Sequence, residues 1–289
     1  MILVRKPKFE LKDFPPKGHR LAHTVRSEEE NWSSVARDYG FPDDPWAIII
    51  YNFNTREPRE VNWYLKELVG CERTTDGKNY SFSIGSTIYI PPEGWKPDYD
   101  ELLRRAILTT LAMPHIQRIR LSIKGHNVNV SSYLRVANQV IDRAIRVRYD
   151  PRLKRSAKDF YDPVKNLFRF GWYYAPDVER QATIVHEATH AALDGASASD
   201  LVRRESEAAA YIAQSMFAWV AWGDGSRLGG ASEGDALDTI FSNATEIAKA
   251  ILADNTPAQA DVDLLIKAIR EHPWYSADHA KKVKYHGIP

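Results

Sequence analysis

A single cysteine, Cys71, is the chain's whole supply of thiols. One thiol excludes an internal disulfide and fits synthesis in a reducing compartment, and Cys71 reads as a small packing residue rather than a nucleophile. Long hydrophobic runs are also lacking. Nothing approaches the roughly 18 consecutive apolar residues of a membrane-spanning helix. The opening Met-Ile-Leu-Val-Arg-Lys-Pro-Lys-Phe-Glu reaches charge too soon for a secretory h-region. The expectation is a protein made in the cytoplasm, with any export by a non-classical route. An excess of one charge is missing as well: 39 Lys and Arg against 38 Asp and Glu leave +1. That balance excludes nucleic acid and anionic membrane as main partners. What remains is an ordinary globular composition in 289 residues, enough for one large or two modest domains. Eight tryptophans and fourteen tyrosines supply aromatic surface for binding as well as core.

The densest chemistry lies in residues 183–194, Thr-Ile-Val-His-Glu-Ala-Thr-His-Ala-Ala-Leu-Asp. His186 and His190 are four apart, which on a helix stacks both imidazoles on one face. Glu187 follows the first, so its carboxylate sits beside the pair. This is H-E-x-x-H. Two neutral imidazoles supply two ligands to Zn2+, which needs a third protein ligand and an open position. The neighbouring carboxylate can then take a proton from the water the metal activates. Ile184, Val185, Ala188, Ala191, Ala192 and Leu193 make the flanks apolar and helix-compatible. Imidazoles buried in such a helix need partners, and one metal satisfies both.

Taken in order, residues 1–17 carry prolines and charges without a period and read as an N-terminal arm. Residues 18–96 read as a module. His23-Thr24-Val25 is a short strand, and Asn31-Trp32 to Gly40 a helix ending at glycine. Asp43-Asp44-Pro45-Trp46 opens a second helix carrying Ile49, Ile50 and Phe53. A polar stretch of about 54–82 follows, then Gly85 to Pro92 as a closing strand. With His-Thr-Val, Trp32 through Gly40, Trp46 with Asn52, and Gly-x-x-Ile-x-Ile-Pro, the module resembles a LysM domain. The resemblance implies a βααβ fold and a grip on N-acetylglucosamine polymers.

The third segment, 97–289, reads as mostly helical. Leu102, Leu103, Ile107, Leu108 and Leu111 predict a helix ending before Pro114, and Ser131 or Ser132 caps another. The basic residues Arg143, Arg146, Arg148, Arg152, Lys154, Arg155 and Lys158 read as a solvated face rather than a binding patch. Asn166 to Tyr174 is aromatic-rich and reads as a strand before the metal helix; a strand there resembles the zincin proteases, and the resemblance implies an edge beside the cleft with Tyr173 and Tyr174 near it. A long helix is predicted from about 200 to 222, with two more over 236–253 and 257–271. The tail from His272 either folds back over the cleft or hangs loose.

The metal helix followed by a glutamate-bearing helix resembles the gluzincin metallopeptidases, and His-Ala-Ala-Leu-Asp is similar to the active-site helix of thermolysin-like enzymes. The resemblance implies a third ligand roughly 15–25 residues past the second histidine. Two residues qualify. Glu207 opens Glu-x-x-Ala-Tyr-x-x-Gln, with Tyr211 one turn along where its phenol can serve the site. Glu205 lies instead at the centre of the apolar face formed by Leu201, Ala208, Ile212 and Met216. The motif match favours Glu207 as ligand. The family's acid one turn past the ligand is absent at Ala209 and Tyr211, which leaves Asp194 as a candidate to orient a histidine. Tyr211, Tyr174, His272, Tyr275 and His286 are candidates to stabilise an oxyanion. The expected fold is therefore α+β, a LysM-like module followed by a zincin-like domain. The expected function is zinc-dependent hydrolysis of a polypeptide or a peptidoglycan stem peptide, with Glu187 as base, in the manner of an envelope-directed effector or toxin. The rival expectation is a glycan-binding protein with a structural or degenerate zinc site.

Overall fold

The computed structural model describes residues 4–8, 11, 13–41, 44–74, 76–155, 159–223, 228, 236–275 and 277–288. Among these the protein mixes helices with small sheets, and about half of it is helical. It divides into two compact units, Met1–Leu102 and Leu103–Pro289. Among the described residues no helix is long and apolar enough to cross a membrane.

In the first unit β1 (Leu21–Thr24) pairs antiparallel with β2 (Thr87–Ile90), Leu21 opposite Ile90 and Thr24 opposite Thr87. Alternation puts Ile88 and Ile90 of β2 into the core. α1 (Trp32–Asp38) starts where the Asn31 side chain accepts from the N–H groups of Ser33 and Ser34, and Ser34 Oγ accepts from the Asn31 N–H in return. α2 (Pro45–Phe53) has proline in its first turn, where the missing N–H costs nothing, and stops at Asn54 in the left-handed region. Asn52 explains why a buried amide sits on this apolar helix. It donates to the Tyr89 carbonyl at 2.8 Å and accepts from the Tyr89 N–H at 3.0 Å, which ties α2 to β2.

The order is not strand–helix–helix–strand. The stretch read as a polar insertion contains α3 (Pro58–Glu67), so the module is βαααβ. Val61, Tyr64 and Leu65 recur at i, i+3 and i+4 and are buried, and Tyr64 stacks on Phe53 at 5.2 Å. Asn62 between them is buried as well, its Oδ1 accepting from the Tyr80 N–H, while the charged residues Arg59, Glu60, Lys66 and Glu67 around them hid the helix. Described residues of the N-terminal arm touch the unit: the Arg5 N–H donates to the Arg59 carbonyl, and Phe14 stacks on Phe53 at 6.2 Å. Of the predicted α2 cap, Asp43 lies outside the described residues.

The unit boundary falls inside α4 (Tyr99–Leu111). A 3-10 turn follows at Pro114–Arg118, then the hairpin of β3 (Arg120–Ile123) and β4 (His126–Asn129). Its two-residue loop, Lys124-Gly125, has both φ angles positive, which matches the strands' twist and is why glycine stands second. Asn129 caps α5 (Val130–Ile141) through the N–H groups of Ser131 and Ser132. β5 (Arg146–Tyr149), β6 (Phe160–Asp162) and β7 (Leu167–Phe170) make a sheet of order β5-β7-β6, with β5 parallel and β6 antiparallel to β7.

β7 is therefore central. The expected edge strand has neighbours on both sides, ends at Phe170, and leaves Tyr173 and Tyr174 beyond it. β5 was hidden within the basic run: Arg146 and Arg148 face outward while Val147 and Tyr149 face in. The side chains of Lys154 and Arg155, and all of Lys158, lie outside the described residues. α6 (Val178–Gly195), α7 (Arg203–Trp222), α8 (Ala236–Leu252) and α9 (Gln259–Glu271) complete the unit. α7 packs between α6 and α8 and also meets α9, while α5 packs on α6, where Tyr133 and Thr189 join hydroxyls at 2.8 Å.

Candidate metal centre

α6 begins at Asp177, whose side chain accepts from the Arg180 N–H, and it is buried on most sides over its last four turns. α7 packs on α6 and turns Ser206, Glu207, Tyr211 and Gln214 toward its two histidines. A glutamate on one can then reach imidazoles on the other.

Glu207 does so. Its Oε2 lies 3.3 Å from His186 Nε2 and 3.6 Å from His190 Nε2, and the two Nε2 atoms are 3.3 Å apart. Three electron-rich atoms pointed at one another in a buried place repel unless a cation or protons lie between them. Ligands bound tetrahedrally at 2.0–2.1 Å stand about 3.3–3.4 Å apart. Two sides of the triangle have that length and the third is 3.6 Å, so the residues fit a small divalent cation, and these three form the cluster suited to a metal among the described residues.

The outer nitrogens are held too. His186 Nδ1 lies 2.9 Å from Gln214 Oε1, an acceptor that fixes the proton on Nδ1 and leaves the Nε2 lone pair for the cluster. His190 Nδ1 lies 2.9 Å from Ser206 Oγ and 3.0 Å from the Tyr285 hydroxyl, which are 2.6 Å from each other. Arg203 Nε approaches Glu207 Oε1 at 3.6 Å. Burial opposes charge on Glu207, yet the His190 and His186 imidazoles hold its carboxyl well below the usual range.

Glu187 is 6 % exposed, and its Oε2 accepts from the Tyr161 N–H of β6 at 2.7 Å. Burial pushes its carboxyl up to about 8, and the charge of Glu207 adds to the rise while His186 and the Tyr161 bond oppose it. Tyr211 sets its ring against His186 at 4.7 Å and joins its hydroxyl to that of Tyr275 at 2.8 Å. Burial, with Glu207 nearby, drives both phenols up, so both remain O–H donors.

The structure gives the remaining candidates different surroundings. Glu205 is buried for another reason than ligation. Its Oε2 accepts from the Val202 N–H at 3.0 Å at the start of α7, and its Oε1 pairs with Lys124 Nζ at 2.8 Å. Asp194 does not orient a histidine. It accepts from the Tyr161 hydroxyl at 2.8 Å and from the N–H groups of His286 and Gly287 at 2.9 and 3.1 Å. The oxyanion candidates also separate. Tyr211 and Tyr275 stand at the cluster, and His272 packs behind Tyr275 at 5.6 Å with Nδ1 accepting from the Trp274 N–H. The His286 ring turns to the Gly287 carbonyl, Tyr173 packs on Tyr149, and the Tyr174 carbonyl accepts from Arg180.

Gln214, Ser206 and Tyr285 were missed. Gln214 had a signal, seven residues past Glu207 and so two turns along the same face. Ser206 adjoins Glu207. Tyr285 had none, being 95 residues from His190. Comparison of the chain with protein-family models, curated proteins and solved structures returns no match.

Proposed function

We propose that the second unit is a zinc-dependent metallopeptidase of gluzincin type. The observation that carries this is the triangle of His186 Nε2, His190 Nε2 and Glu207 Oε2, with sides of 3.3, 3.6 and 3.3 Å. These atoms would hold the ion. When bound, zinc polarises a carbonyl and makes water nucleophilic near neutral pH. Glu187, adjacent and buried, receives the water's proton on its carboxylate and returns it to the leaving amine. The bond from the Tyr161 N–H keeps that carboxylate in one orientation. The Tyr211–Tyr275 hydroxyl pair supplies the donor for the developing oxyanion.

The substrate is a polypeptide or a peptidoglycan stem peptide. The first unit, with its LysM-like strands and helices, docks on an N-acetylglucosamine polymer, which suits an envelope-directed effector. The test is metal analysis followed by turnover. One zinc per chain, and cleavage of a denatured protein or a peptidoglycan fragment that stops on chelation, supports the reading.

A second reading has an observation on its side. Glu187 is already bonded to Tyr161, and His186, Glu187 and Glu207 are each under 10 % exposed. A structural ion in a glycan-binding protein has these features as well. Tight zinc without turnover on any such substrate decides for it.

A further inference from the structure

Residues 277–288 run back along the helix pair that carries the cluster. The carbonyls of Lys281 and His279 accept from the N–H groups of Arg203 and Arg204 at 2.9 and 3.1 Å. These are first-turn donors of α7, which have no partner within their own helix. Val202 and Lys282 form an antiparallel bridge, and the Val283 N–H donates to the Leu201 carbonyl at 3.1 Å. Further on, the N–H groups of His286 and Gly287 meet Asp194 Oδ1 in the last turn of α6. The segment thus joins the end of α6 to the start of α7, the two helices whose spacing sets the triangle. Between the two anchorages stands Tyr285, 6 % exposed, with its hydroxyl on His190 Nδ1 and Ser206 Oγ.

We propose that this C-terminal strap is a latch for the metal, with Tyr285 as a positioning residue for His190. The inference rests on the metal reading above. The hydroxyl pair of Ser206 and Tyr285 holds the His190 ring so that Nε2 faces Glu207, and the strap holds the hydroxyl. Losing such an outer partner typically weakens metal affinity by roughly ten- to a hundredfold. The latch also makes ion release depend on a segment that meets no ligand atom itself.

The experiment compares full-length wild type, Tyr285→Phe and Gly287→Ala by zinc competition against a chromogenic chelator. Tyr285→Phe keeps the ring and removes the hydroxyl. Gly287→Ala touches no cluster residue: its φ is +85° and a Cβ there meets Ser197 Oγ at 3.0 Å, so the strap's end is strained off α6. Both variants should bind zinc at least fivefold more weakly and release it faster. The visible bands of the cobalt(II)-loaded protein should shift in Tyr285→Phe. Each metal-free melting temperature is measured alongside, so a fold merely weakened shows as a lower metal-free value with an unchanged zinc-induced increment. That outcome, or affinity and cobalt bands within error of wild type, overturns the latch. Wild type that takes up no metal overturns the metal centre and the latch together.

Discussion

The backbone N–H of Tyr161 donates to Oε2 of Glu187 across 2.7 Å. The donor belongs to β6, an outer strand of the sheet, and the acceptor to α6, so the acid beside the first imidazole is aimed by a second element. Tyr161 is held in turn through its hydroxyl by Asp194, two turns further along the same helix. Glu187→Gln keeps an acceptor oxygen for that N–H and removes the proton transfer. Its turnover should fall by roughly 10²–10⁴-fold, with zinc content per chain unchanged. Steady-state kinetics and metal analysis on one preparation check this. Peptidase activity near the wild-type level in Glu187→Gln would remove Glu187 from the scheme.

The two neighbouring glutamates of α7 should behave in opposite ways. Glu207→Gln removes the anion from the proposed ligand set and should lose stoichiometric zinc. Glu205→Gln should keep it and show instead a small loss of stability, from the Lys124 pair and the Val202 N–H. The Lys124 partner is exposed, and an ion pair open to solvent on one side contributes about 0–1 kcal/mol. The contrast is read by zinc stoichiometry after gel filtration, and zinc lost from Glu205→Gln but kept by Glu207→Gln would return the assignment to Glu205.

Chelation should lower the melting temperature. An ion that binds only the folded state at a thousand times its Kd stabilises by about 4 kcal/mol, or roughly 8–16 °C for a unit of this size. Calorimetry with and without a chelator measures it. The transition that moves should be that of the second unit, because all the cluster residues lie there.

Asp150 offers a pH test away from the cluster. Arg152 grips its carboxylate through Nε and Nη2 at 2.9 Å each, Arg169 adds a further bond, and together they hold it well below the usual carboxylate range. A lowered folded value means the stabilisation is complete above the unfolded value of about 4 and fades as pH falls through the folded one. Asp150→Asn should therefore melt lower than wild type at pH 7, and the gap should close progressively below about pH 4. A gap that stays constant into acid would count against the ion-pair account.

Cys71 reports on the first unit. It is fully buried among Val25, Phe53, Leu65 and Ile88, and burial pushes its thiol up. It should resist an aromatic disulfide reagent in the native protein and react fully once denaturant unfolds that unit. Prompt labelling under native conditions would contradict the packing.

Much of this was legible from local pattern. The spacing of His186 and His190, the helix around them, the following helix with Glu207, and the short strands of the first unit all follow from periods of 3.6 and 2 residues. α3 was legible as well: Pro58 followed by Val61, Tyr64 and Leu65 is a helical signature that polar neighbours masked. Other features had no local cause. Glu205 satisfies the same burial pattern as a ligand, and only the positions of Lys124 and the Val202 N–H show what it serves. β7 reads as a strand on its own, but its two neighbours make it central.

The chain's residues alone determined which helix offers two imidazoles and an acid, because a helix's geometry is set within a few residues. Which atoms meet those imidazoles from behind was decided by tertiary structure alone. A hydroxyl at position 285 reaches His190 only after the strap has paired with the start of α7 and bonded the end of α6, and closure over so long a loop leaves no periodic trace.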